Sequence, residues 1–428
     1  MKKLLLSKFK NKKFIVGIVG LGYVGLPICE RFSRVGVEVI GVDNNSSKIN
    51  TLKRGSSYIK SSKLKNFNYF NKNKKNLSTN YKILTKCDAI LICLPTPLKN
   101  YRPDMSYVFN CAKKLKKIIK PYQLIVLEST VYPGATNDLI NIIKQKKLNI
   151  GSNFFVGYSP ERENPGDKSF SYKKTPKVIS GFSKYCLILM DALYKHITFK
   201  RVKSEDLKSA ELSKLLENLY RSVNIGLINE LKIICEYLKI DIFKVIDLAA
   251  TKNFGFQKFL PGPGLGGHCI PIDPYYLSWI SKKKGYDPMF IPLAGKINTM
   301  MPLWVVNKML SSLKSPKQKI LILGVAYKKN VDDDRESPSF EIMKILKKKK
   351  VNFEYNDPYF DKIRKGRQNK INKKSIILNK NNLKKFSAVL LVTDHDKYDY
   401  KFIAQNSKIV FDTRGVYKKF AFKNIVYC

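Results

Sequence analysis

A glycine-rich turn near the beginning of the chain constrains its fold more than any other feature. The apolar run from Phe14 to Val19 predicts a buried strand, and it leads into Gly20-Leu21-Gly22-Tyr23-Val24-Gly25. A predicted helix from Leu26 to Ser33 follows, and then a second strand from Val37 to Val42 that ends at Asp43. This order of strand, GxGxxG turn, helix, strand and acid predicts a βαβ unit that binds a dinucleotide.

Each glycine of this turn has its own task. Gly20 makes the tight turn, Gly22 lets the pyrophosphate approach the helix, and Gly25 lets helix and strand pack closely. Asp43 would accept hydrogen bonds from the adenosine ribose, which favours NAD over NADP. The alternative is a glycine-rich turn without a ligand. The predicted cofactor-binding residues of the turn also include Tyr23 and Val24.

Further predicted strands end in polar loops that carry Thr96, Thr130 and Glu161. In an open parallel sheet the ligand binds beyond the carboxyl ends of the strands, so both threonines are candidates to contact the cofactor. A helix N-cap is an equal alternative for a single Thr. Glu161 can serve as a general base, and its alternatives are a surface carboxylate or a salt bridge to Arg162.

A long amphipathic helix is predicted from Ser204 to Leu238, and it would link two domains. Lys214 and Asn218 lie four residues apart and therefore share a face of this helix. Together they could hold the developing charge of a reacting oxygen. In a chain so rich in Lys, a solvated helix face is the default alternative.

The stretch from Pro261 to Pro274 is too rich in Gly and Pro for a helix or an ordinary strand. It holds a single cysteine, Cys269, and a carboxylate four residues later at Asp273. A cysteine on such a loop, supplied by a redox cofactor, is interpreted as a covalent nucleophile. An inert buried cysteine is the alternative.

The last third of the chain predicts a second, smaller α/β unit that begins with the strand from Lys319 to Leu323. After this strand stands one Gly, Gly324, where the first unit has three. We therefore do not expect the second unit to bind a whole dinucleotide. Lys328, Arg335 and Arg414 lie at predicted strand ends and could bind phosphate, although each alone could be ordinary surface charge.

Composition bears mainly on which partners to expect. The formal net charge is +47, which in general suggests nucleic acid or an anionic membrane. Here Lys is spread over the whole chain, so we expect solvated lysines and a field that favours an anionic substrate. Eight Cys without a paired CxxC and three distant His predict neither a metal site nor a disulfide framework. We expect a soluble protein of the reducing cytoplasm without a membrane span.

From end to end the chain resembles the UDP-glucose/GDP-mannose dehydrogenase family. The matching motifs are the Gly20 to Gly25 turn with Asp43, Pro95-Thr96-Pro97, Glu128-Ser129-Thr130-Val131, Ser159-Pro160-Glu161-Arg162, Glu211 to Asn218, the Cys269 loop with Asp273, and Asp334-Arg335-Glu336-Ser337. The resemblance implies an α/β fold of two Rossmann-like doubly wound domains, joined by a long central helix and a helical segment that forms a homodimer. The expected domains are 1–203 for NAD, 204–312 for dimerisation and the Cys loop, and 313–428 for the UDP-sugar.

Within the family, the Cys loop resembles the branch that oxidises UDP-N-acetylhexosamines, because Ile272 stands where UDP-glucose enzymes usually carry Lys. UDP-N-acetylglucosamine is the expected substrate, in the biosynthesis of a surface polysaccharide such as O-antigen or capsule. The galactosamine and mannosamine epimers and UDP-glucose are the alternatives.

The family's chemistry implies a role for each candidate residue. Cys269 would attack the aldehyde formed by the first oxidation, and the thioester formed by the second would be hydrolysed to a uronic acid. Lys214 and Asn218 would stabilise the oxyanion, and Asp273 would order a water and position Lys214. Glu161 would be the base for hydrolysis, supported by Thr130. The expected substrate-binding residues are Glu161, Arg162, Lys214, Asn218, Gly266, Lys328, Arg335 and Arg414.

Two other functions stay open at this point. A dehydrogenase that transfers a single hydride, of the hydroxyacid or sugar-phosphate type, would need the Lys and Asn but no nucleophilic Cys. A nucleic-acid-binding protein is suggested only by the net charge, and it would bind with a steep dependence on salt.

Overall fold

The computed structural model describes residues 1–59, 68–162, 175–267, 270–313, 318–363 and 371–428. Cys269 and His268 lie outside the described residues. The chain divides into two units, Met1–Glu217 with Tyr275–Tyr286, and Asn218–Pro274 with Asp287–Cys428. The division falls within one long helix, and each unit is built on its own sheet.

The first unit contains an eight-stranded sheet whose strands are short, apolar and buried in the middle. Its order is β10-β9-β8-β7-β4-β1-β2-β3, and all neighbours are parallel except β8 and β9. Within this sheet, the six adjacent strands β3-β2-β1-β4-β7-β8 have the strand order of dinucleotide-binding folds. The strands are β1 Ile15–Val19, β2 Glu38–Val42, β3 Leu77–Ser78, β4 Ala89–Ile92, the hairpin β5 Leu98–Lys99 and β6 Arg102–Pro103, β7 Leu124–Leu127, β8 Phe155–Tyr158, β9 Lys177–Gly181 and β10 Arg201–Ser204.

Helices cover this sheet and bury its two apolar faces in separate hydrophobic clusters. The helices are α1 Lys2–Lys10, α2 Gly25–Arg34, α3 Ser46–Lys53, α4 Tyr69–Lys72, α5 Ser106–Lys116, α6 Ala135–Ile143 and α7 Lys184–Tyr194, with 3-10 turns at Lys74–Asn76 and Tyr81–Lys86. Sequence analysis did not predict α1. It is held by an ion pair of 2.7 Å between Lys8 and Asp88, and by the Tyr185 hydroxyl, which donates to the carbonyl of Lys2.

The second unit has a five-stranded parallel sheet in the order β12-β11-β15-β16-β17. Its strands are β11 Lys319–Leu323, β12 Asn352–Asn356, the small antiparallel pair β13 Lys362–Ile363 and β14 Lys373–Lys374, β15 Ala388–Leu391, β16 Val410–Asp412 and β17 Ile425–Tyr427. The remaining helices of the chain are α8 Leu207–Tyr237, α9 Ile242–Ala249, α10 Asp273–Lys283, α11 Phe290–Ser311, α12 Pro338–Lys348, α13 Lys380–Lys384 and α14 Tyr400–Asn406, with a 3-10 turn at Val416–Lys419.

The predicted fold class of two Rossmann-like α/β domains is confirmed by these sheets. Each sheet starts from a strand that ends in a glycine with positive φ, Gly20 at 92° and Gly324 at 89°. The predicted central helix is α8, which begins three residues later than expected at Leu207. Across the part of the chain that the structure describes, no helix combines the length and apolar character needed to cross a membrane. The three-domain division at 1–203, 204–312 and 313–428 stays a prediction.

Candidate active site

The glycine turn of the first unit has the shape that a pyrophosphate needs. Gly20 adopts a φ of 92°, and a Cβ there would lie 2.6 Å from the Cys93 carbonyl oxygen. A Cβ on Gly25 would lie 1.9 Å from the carbonyl oxygen of Gly20, so helix and strand meet too closely for any side chain. At Gly22, in contrast, no atom of the described residues other than its chain neighbours lies within 4 Å of such a Cβ. The turn is therefore closely packed at Gly20 and Gly25 and open at Gly22. It lies at the beginning of α2, and the N-terminus of a helix favours negative charge.

Asp43 has a structural task in addition to the predicted one. One carboxylate oxygen accepts a hydrogen bond of 2.9 Å from the backbone N–H of Leu21, and the other accepts one of 2.9 Å from Asn45. The carboxylate thus holds the glycine turn in place from the end of β2. Each oxygen retains a lone pair with which it could accept a ribose hydroxyl. Tyr23 and Val24 are partly buried and pack against the core beneath the turn.

Thr96 and Thr130 connect the loops that follow β4 and β7. The Thr96 hydroxyl donates a hydrogen bond of 2.8 Å to the Thr130 carbonyl, and the Ser129 hydroxyl donates one of 2.7 Å to the carbonyl of Leu94. Neither threonine caps a helix, because α5 follows Met105 and α6 follows Gly134. The N-cap alternative for these threonines is therefore wrong.

Glu161 is neither a surface carboxylate nor the partner of Arg162, so both alternatives to the base are wrong. Its side chain is buried, and it pairs with Lys177 at 3.1 Å and with Arg31 at 3.5 Å. Arg162 instead pairs with Glu217 and donates a hydrogen bond of 2.7 Å to the Pro176 carbonyl.

Lys177 and Glu128 form a buried pair that sequence reasoning missed. The Lys177 Nζ lies 2.9 Å from Glu128 Oε2, and the Tyr194 hydroxyl donates to Glu128 Oε1. Burial raises the pKa of Glu128, while Lys177 opposes that shift. The only signal in the sequence was a Lys at the start of the apolar segment that became β9.

On α8 the predicted pair is buried, and the solvated-face alternative is wrong. Lys214 is 8% exposed and Asn218 is 5% exposed. One turn before Lys214, the Glu211 carboxylate accepts hydrogen bonds from the backbone N–H groups of Gly134 and Thr136, at 2.5 and 2.8 Å. It thereby satisfies the beginning of α6, and burial raises its pKa. Glu211 was noticed in the sequence only as part of a motif.

Within the second unit, Asn218 and Asp273 are direct partners. The Asn218 Nδ2 donates a hydrogen bond of 2.5 Å to Asp273 Oδ2, and both side chains are buried. Because Asp273 is the first residue of α10, this bond connects α8 to the end of the Cys loop.

The glycine-rich loop before Cys269 is held at two backbone positions. The N–H of Gly262 donates to Asn229 Oδ1 at 2.9 Å, and the N–H of Gly267 donates to the Arg335 carbonyl at 2.9 Å. Asn229 in turn donates to Asn298 Oδ1 at 2.9 Å. A Cβ on Gly266 would lie 2.8 Å from the Cβ of Tyr327, so the loop backbone packs directly on that side chain. Sequence reasoning missed the buried Asn229 and Asn298.

The three predicted phosphate ligands of the second unit differ in their surroundings. Arg414 donates from Nε to the Val392 carbonyl at 2.8 Å, and its Nη1 lies 2.8 Å from the position of a Cβ on Gly262. The guanidinium of Arg335 pairs with Asp333 at 2.6 Å and is about half exposed. Lys328 is partly buried.

Asp357 ends β12 as Asp43 ends β2, but its carboxylate is already engaged. One oxygen accepts N–H groups from Val325 and Ala326 at 2.7 and 3.0 Å, and the same oxygen lies 3.1 Å from His395 Nε2. Burial pushes the pKa of Asp357 upward, but the bond from His395 and the backbone N–H groups outweigh burial and lower it. This acid therefore serves the interior of the unit. Among the described residues, no group of three His, Cys, Asp or Glu could hold a metal.

The family comparisons match three successive parts of the chain. The UDP-glucose/GDP-mannose dehydrogenase family matches with its NAD binding domain at residues 14–198, its central domain at 208–300 and its UDP binding domain at 321–419. The NAD predicted from the glycine turn is thereby confirmed as the cofactor.

Two relatives with different named activities are about equally similar to the chain. The UDP-N-acetyl-D-glucosamine 6-dehydrogenase of Pseudomonas aeruginosa is 34% identical over 360 residues, which cover 81% of this chain and 83% of that protein. The UDP-N-acetyl-D-mannosamine dehydrogenase of Methanococcus vannielii is 35% identical over 361 residues, covering 82% and 81%. The solved structure of the UDP-D-ManNAc dehydrogenase of Pyrococcus horikoshii has a TM-score of 0.85 at 27% identity, covering 96% of this chain and 98% of that one. The chain therefore belongs to the UDP-glucose/GDP-mannose dehydrogenase family.

Proposed function

We propose that this nucleotide-sugar dehydrogenase oxidises the 6-hydroxyl of UDP-N-acetylglucosamine to the uronic acid, for the biosynthesis of a surface polysaccharide. The observation that carries the four-electron reaction is the loop before Cys269, whose backbone is fixed at Gly262 and Gly267. These two bonds hold the described part of the loop that precedes the proposed nucleophile. A dehydrogenase that transfers a single hydride would not need it.

NAD, when bound at the glycine turn, accepts one hydride in each of the two oxidations. In the proposed reaction the thiolate of Cys269 adds to the aldehyde carbon after the first oxidation, and the sulfur remains attached through the second. The resulting thioester is hydrolysed, and the sulfur leaves as a thiolate. A Cys suits these steps because its thiolate is both a strong nucleophile and a good leaving group.

Lys214 and Asn218 are proposed to stabilise the oxygen that develops negative charge. Their burial supports this role, because a charge held in a water-poor site acts more strongly than one in bulk water. The bond from Asn218 to Asp273 would fix the amide so that its second N–H points at the oxyanion. That Asp273 also positions Lys214 and orders a water stays a prediction.

Glu161 is proposed as the base for hydrolysis of the thioester, with Thr130 supporting the water or the substrate. Its position at the carboxyl end of β8 supports this role, because ligands of such sheets bind at that edge. Arg162, from the same loop, is proposed to contact the substrate.

Lys328, Arg335 and Arg414 are proposed to bind the uridine diphosphate end, together with the backbone at Gly266. The guanidinium of Arg414 beside Gly262 supports this most directly, since it brings a fixed positive charge to the loop. Because Asp333 already neutralises Arg335, we expect Arg414 to contribute more to affinity than Arg335.

We also propose that the protein is a homodimer in the cytoplasm. Helices α8, α9 and α11 of the second unit carry a set of exposed apolar side chains, the exposed helical set: Leu227, Ile234, Tyr237, Leu248, Phe290, Leu293 and Leu303. Large exposed apolar surfaces generally mark contacts between proteins. The seven described cysteines are free thiols, as is usual in a reducing compartment.

The substrate assignment is tested by comparing kcat/KM for UDP-N-acetylglucosamine, UDP-N-acetylgalactosamine, UDP-N-acetylmannosamine and UDP-glucose. We expect UDP-N-acetylglucosamine to be preferred. A preference for UDP-N-acetylmannosamine would replace it with the substrate named for the second relative. A preference for UDP-glucose would contradict the inference from Ile272.

A further inference from the structure

Glu161 is part of a buried charge network that lies behind the proposed reaction. The Lys177 ammonium lies 2.9 Å from Glu128 Oε2 and 3.1 Å from Glu161 Oε2, and it contacts the Pro160 carbonyl at 3.4 Å. The side chains of Lys177, Glu128 and Glu161 are at most 5% exposed. Buried charges destabilise a protein unless they are paired and hydrogen-bonded, and Lys177 pairs with both of these buried carboxylates.

Further groups face this network from three other parts of the first unit. Arg31 of α2 lies 3.5 Å from the second oxygen of Glu161, and the Tyr194 hydroxyl of α7 donates to the second oxygen of Glu128. The Tyr194 ring also lies 5.1 Å from the Lys177 ammonium. After β4, burial raises the pKa of the Cys93 thiol, and the charge of Glu128 raises it further, so this thiol stays neutral. Within these described contacts, the two carboxylates face the cations of Lys177 and Arg31.

We propose that Lys177 is a positioning residue for thioester hydrolysis. It holds Glu161 ionised and oriented as a base, while Glu128 neutralises part of the Lys177 charge. This inference rests on the proposed function, in which Glu161 activates the water. Glu161 would be a poor base if it alone neutralised two cations, because they would hold its carboxylate too strongly ionised. Sharing Lys177 with Glu128 avoids this.

The step that Lys177 supports is balanced in atoms and electrons. The water oxygen forms a bond to the acyl carbon, and one water proton passes to the Glu161 carboxylate. The carbon–sulfur bond then breaks, and its electron pair stays on the Cys269 sulfur. With Glu161 protonated, the charge of Glu128 still balances Lys177, and the proton is later released to solvent. No oxidation or reduction occurs in this step.

The geometry predicts opposite pH effects for the two neighbours of Glu161. Without Lys177, the two buried carboxylates lose the cation that they share, so the pKa of at least one of them rises. Hydrolysis in Lys177→Met should therefore require a pH about one to three units higher than in the native protein. In Glu128→Gln the full charge of Lys177 acts on Glu161 and lowers the pKa of its carboxyl group. The acid limb, which is the fall of the hydrolysis rate on the acid side of the pH profile, should therefore move to lower pH.

The test is a single-turnover experiment on the full chain with NAD and UDP-N-acetylglucosamine between about pH 5 and 9. Intact-protein mass spectrometry follows the acyl group on Cys269, and absorbance follows NADH. We expect Lys177→Met to form NADH and accumulate the acyl-enzyme at neutral pH, with hydrolysis slowed about tenfold or more and recovered at high pH. Lys177→Arg should restore most of the rate. Lys203→Met, in the neighbouring strand β10, is the matched control and should leave the profile unchanged.

The outcomes separate this inference from the function on which it rests. Glu161→Gln should slow hydrolysis about 100-fold or more, in the range of general-base catalysis. Normal hydrolysis in Glu161→Gln would overturn its proposed role as base, and the role of Lys177 with it. Slow hydrolysis in Glu161→Gln, with an unchanged pH profile in Lys177→Met, would overturn the inference alone. If Lys177→Met no longer binds NAD, Glu128→Gln takes its place in the test. A shift of the acid limb of its hydrolysis profile to lower pH supports the inference, and an unchanged profile overturns it.

Discussion

At the scale of single residues, the glycines of the first turn perform two tasks that can be separated by experiment. Gly25 is needed by the fold, because a Cβ would meet the Gly20 carbonyl at 1.9 Å. A Cβ on Gly22 would meet no atom of the described residues beyond its chain neighbours, so their packing does not require glycine there. The proposed need at Gly22 comes from the ligand, whose pyrophosphate would occupy that space.

We predict that Gly22→Ala retains the native melting temperature within a few degrees but binds NAD about tenfold or more weakly. Gly25→Ala is the contrasting variant. It should lower stability by several kcal/mol or prevent folding, because the overlap is with backbone and cannot be relieved by a rotamer change. Thermal unfolding and a titration with NAD measure the two effects. Native NAD affinity in Gly22→Ala would contradict the placement of the pyrophosphate.

The same scale shows which site residues a sequence can reveal. Gly20, Gly22, Gly25 and Asp43 were found because their spacing follows from the geometry of one short βαβ segment. Lys177 could not be found, because it is one of 80 Lys and Arg residues, and its partners Glu128 and Glu161 lie 49 and 16 residues away in the chain, with no regular spacing. Only the folded sheet brings the ends of β7, β8 and β9 together.

At the scale of elements, the buried amide chain on α8 controls the loop that leads to Cys269. Asn229 accepts from Gly262 and donates to Asn298, whose own amide donates to the carbonyl of Ser222 at 3.0 Å. These bonds connect α8, α11 and the loop within the second unit. The position of the loop therefore depends on side chains that do not touch the proposed reaction.

We predict that Asn229→Ala lowers kcat about tenfold or more, because a small displacement of a catalytic group has a large effect on rate. NAD affinity should be unchanged, and stability should fall by about 1–3 kcal/mol, because the loop N–H loses its buried acceptor. Asn224→Ala is the control, since that exposed amide bonds only to the Tyr220 carbonyl of its own helix. Steady-state kinetics and urea unfolding measure both effects. Unchanged kcat in Asn229→Ala would contradict the role of this chain of amides.

The end of β12 gives the second unit a predictable response to acid. The pKa of Asp357 is lower in the folded protein than the ordinary value for Asp, which is about 4. The ionised carboxylate therefore stabilises the fold at every pH above that ordinary value. That contribution is lost as the pH falls through the lower value of the folded state. Asp357→Asn should therefore lower stability by about 2 kcal/mol at neutral pH and make unfolding less sensitive to acid.

Urea midpoints at neutral pH and below about pH 4 measure this difference. Asp396→Asn is the control, because its carboxylate is exposed and pairs with Lys329 at the surface. Equal acid sensitivity of Asp357→Asn and the native protein would show that other carboxylates dominate the response.

Elements were predicted well where their pattern is local and poorly where it is not. The strands β1, β4 and β7 and the helix α8 follow from apolar runs and helical periodicity. The antiparallel pairing of β8 and β9 and the packing of α1 depend on residues far apart in the chain. Such contacts leave no periodic signal in the sequence.

At the scale of the whole molecule, the exposed helical set is the feature from which we infer a protein partner. Its members lie on α8, α9 and α11, and each exposes a large apolar side chain to water. A second copy of the chain could bury these side chains, and burial of apolar surface is the main favourable contribution in most protein association. Electrostatic repulsion from the net charge of +47 would oppose association at low salt.

We predict that the native protein is a dimer in light scattering at moderate salt, and that Leu248→Glu shifts it toward monomer by about tenfold or more in dissociation constant. A charge in an apolar interface loses its hydration without gaining a partner. Ile377→Glu is the control, because Ile377 is equally exposed but lies outside the exposed helical set. A native monomer, or a Leu248→Glu protein as dimeric as the control, would contradict the proposed dimer.

The central claim is that one chain performs two oxidations through a thioester at Cys269. The most direct test is the number of NADH molecules formed per UDP-N-acetylglucosamine consumed, measured for the native protein and for Cys269→Ser. We predict two NADH per sugar for the native protein, and loss of uronic acid formation with retained NAD binding for Cys269→Ser. One NADH per sugar, or normal uronic acid formation by Cys269→Ser, would contradict the thioester mechanism.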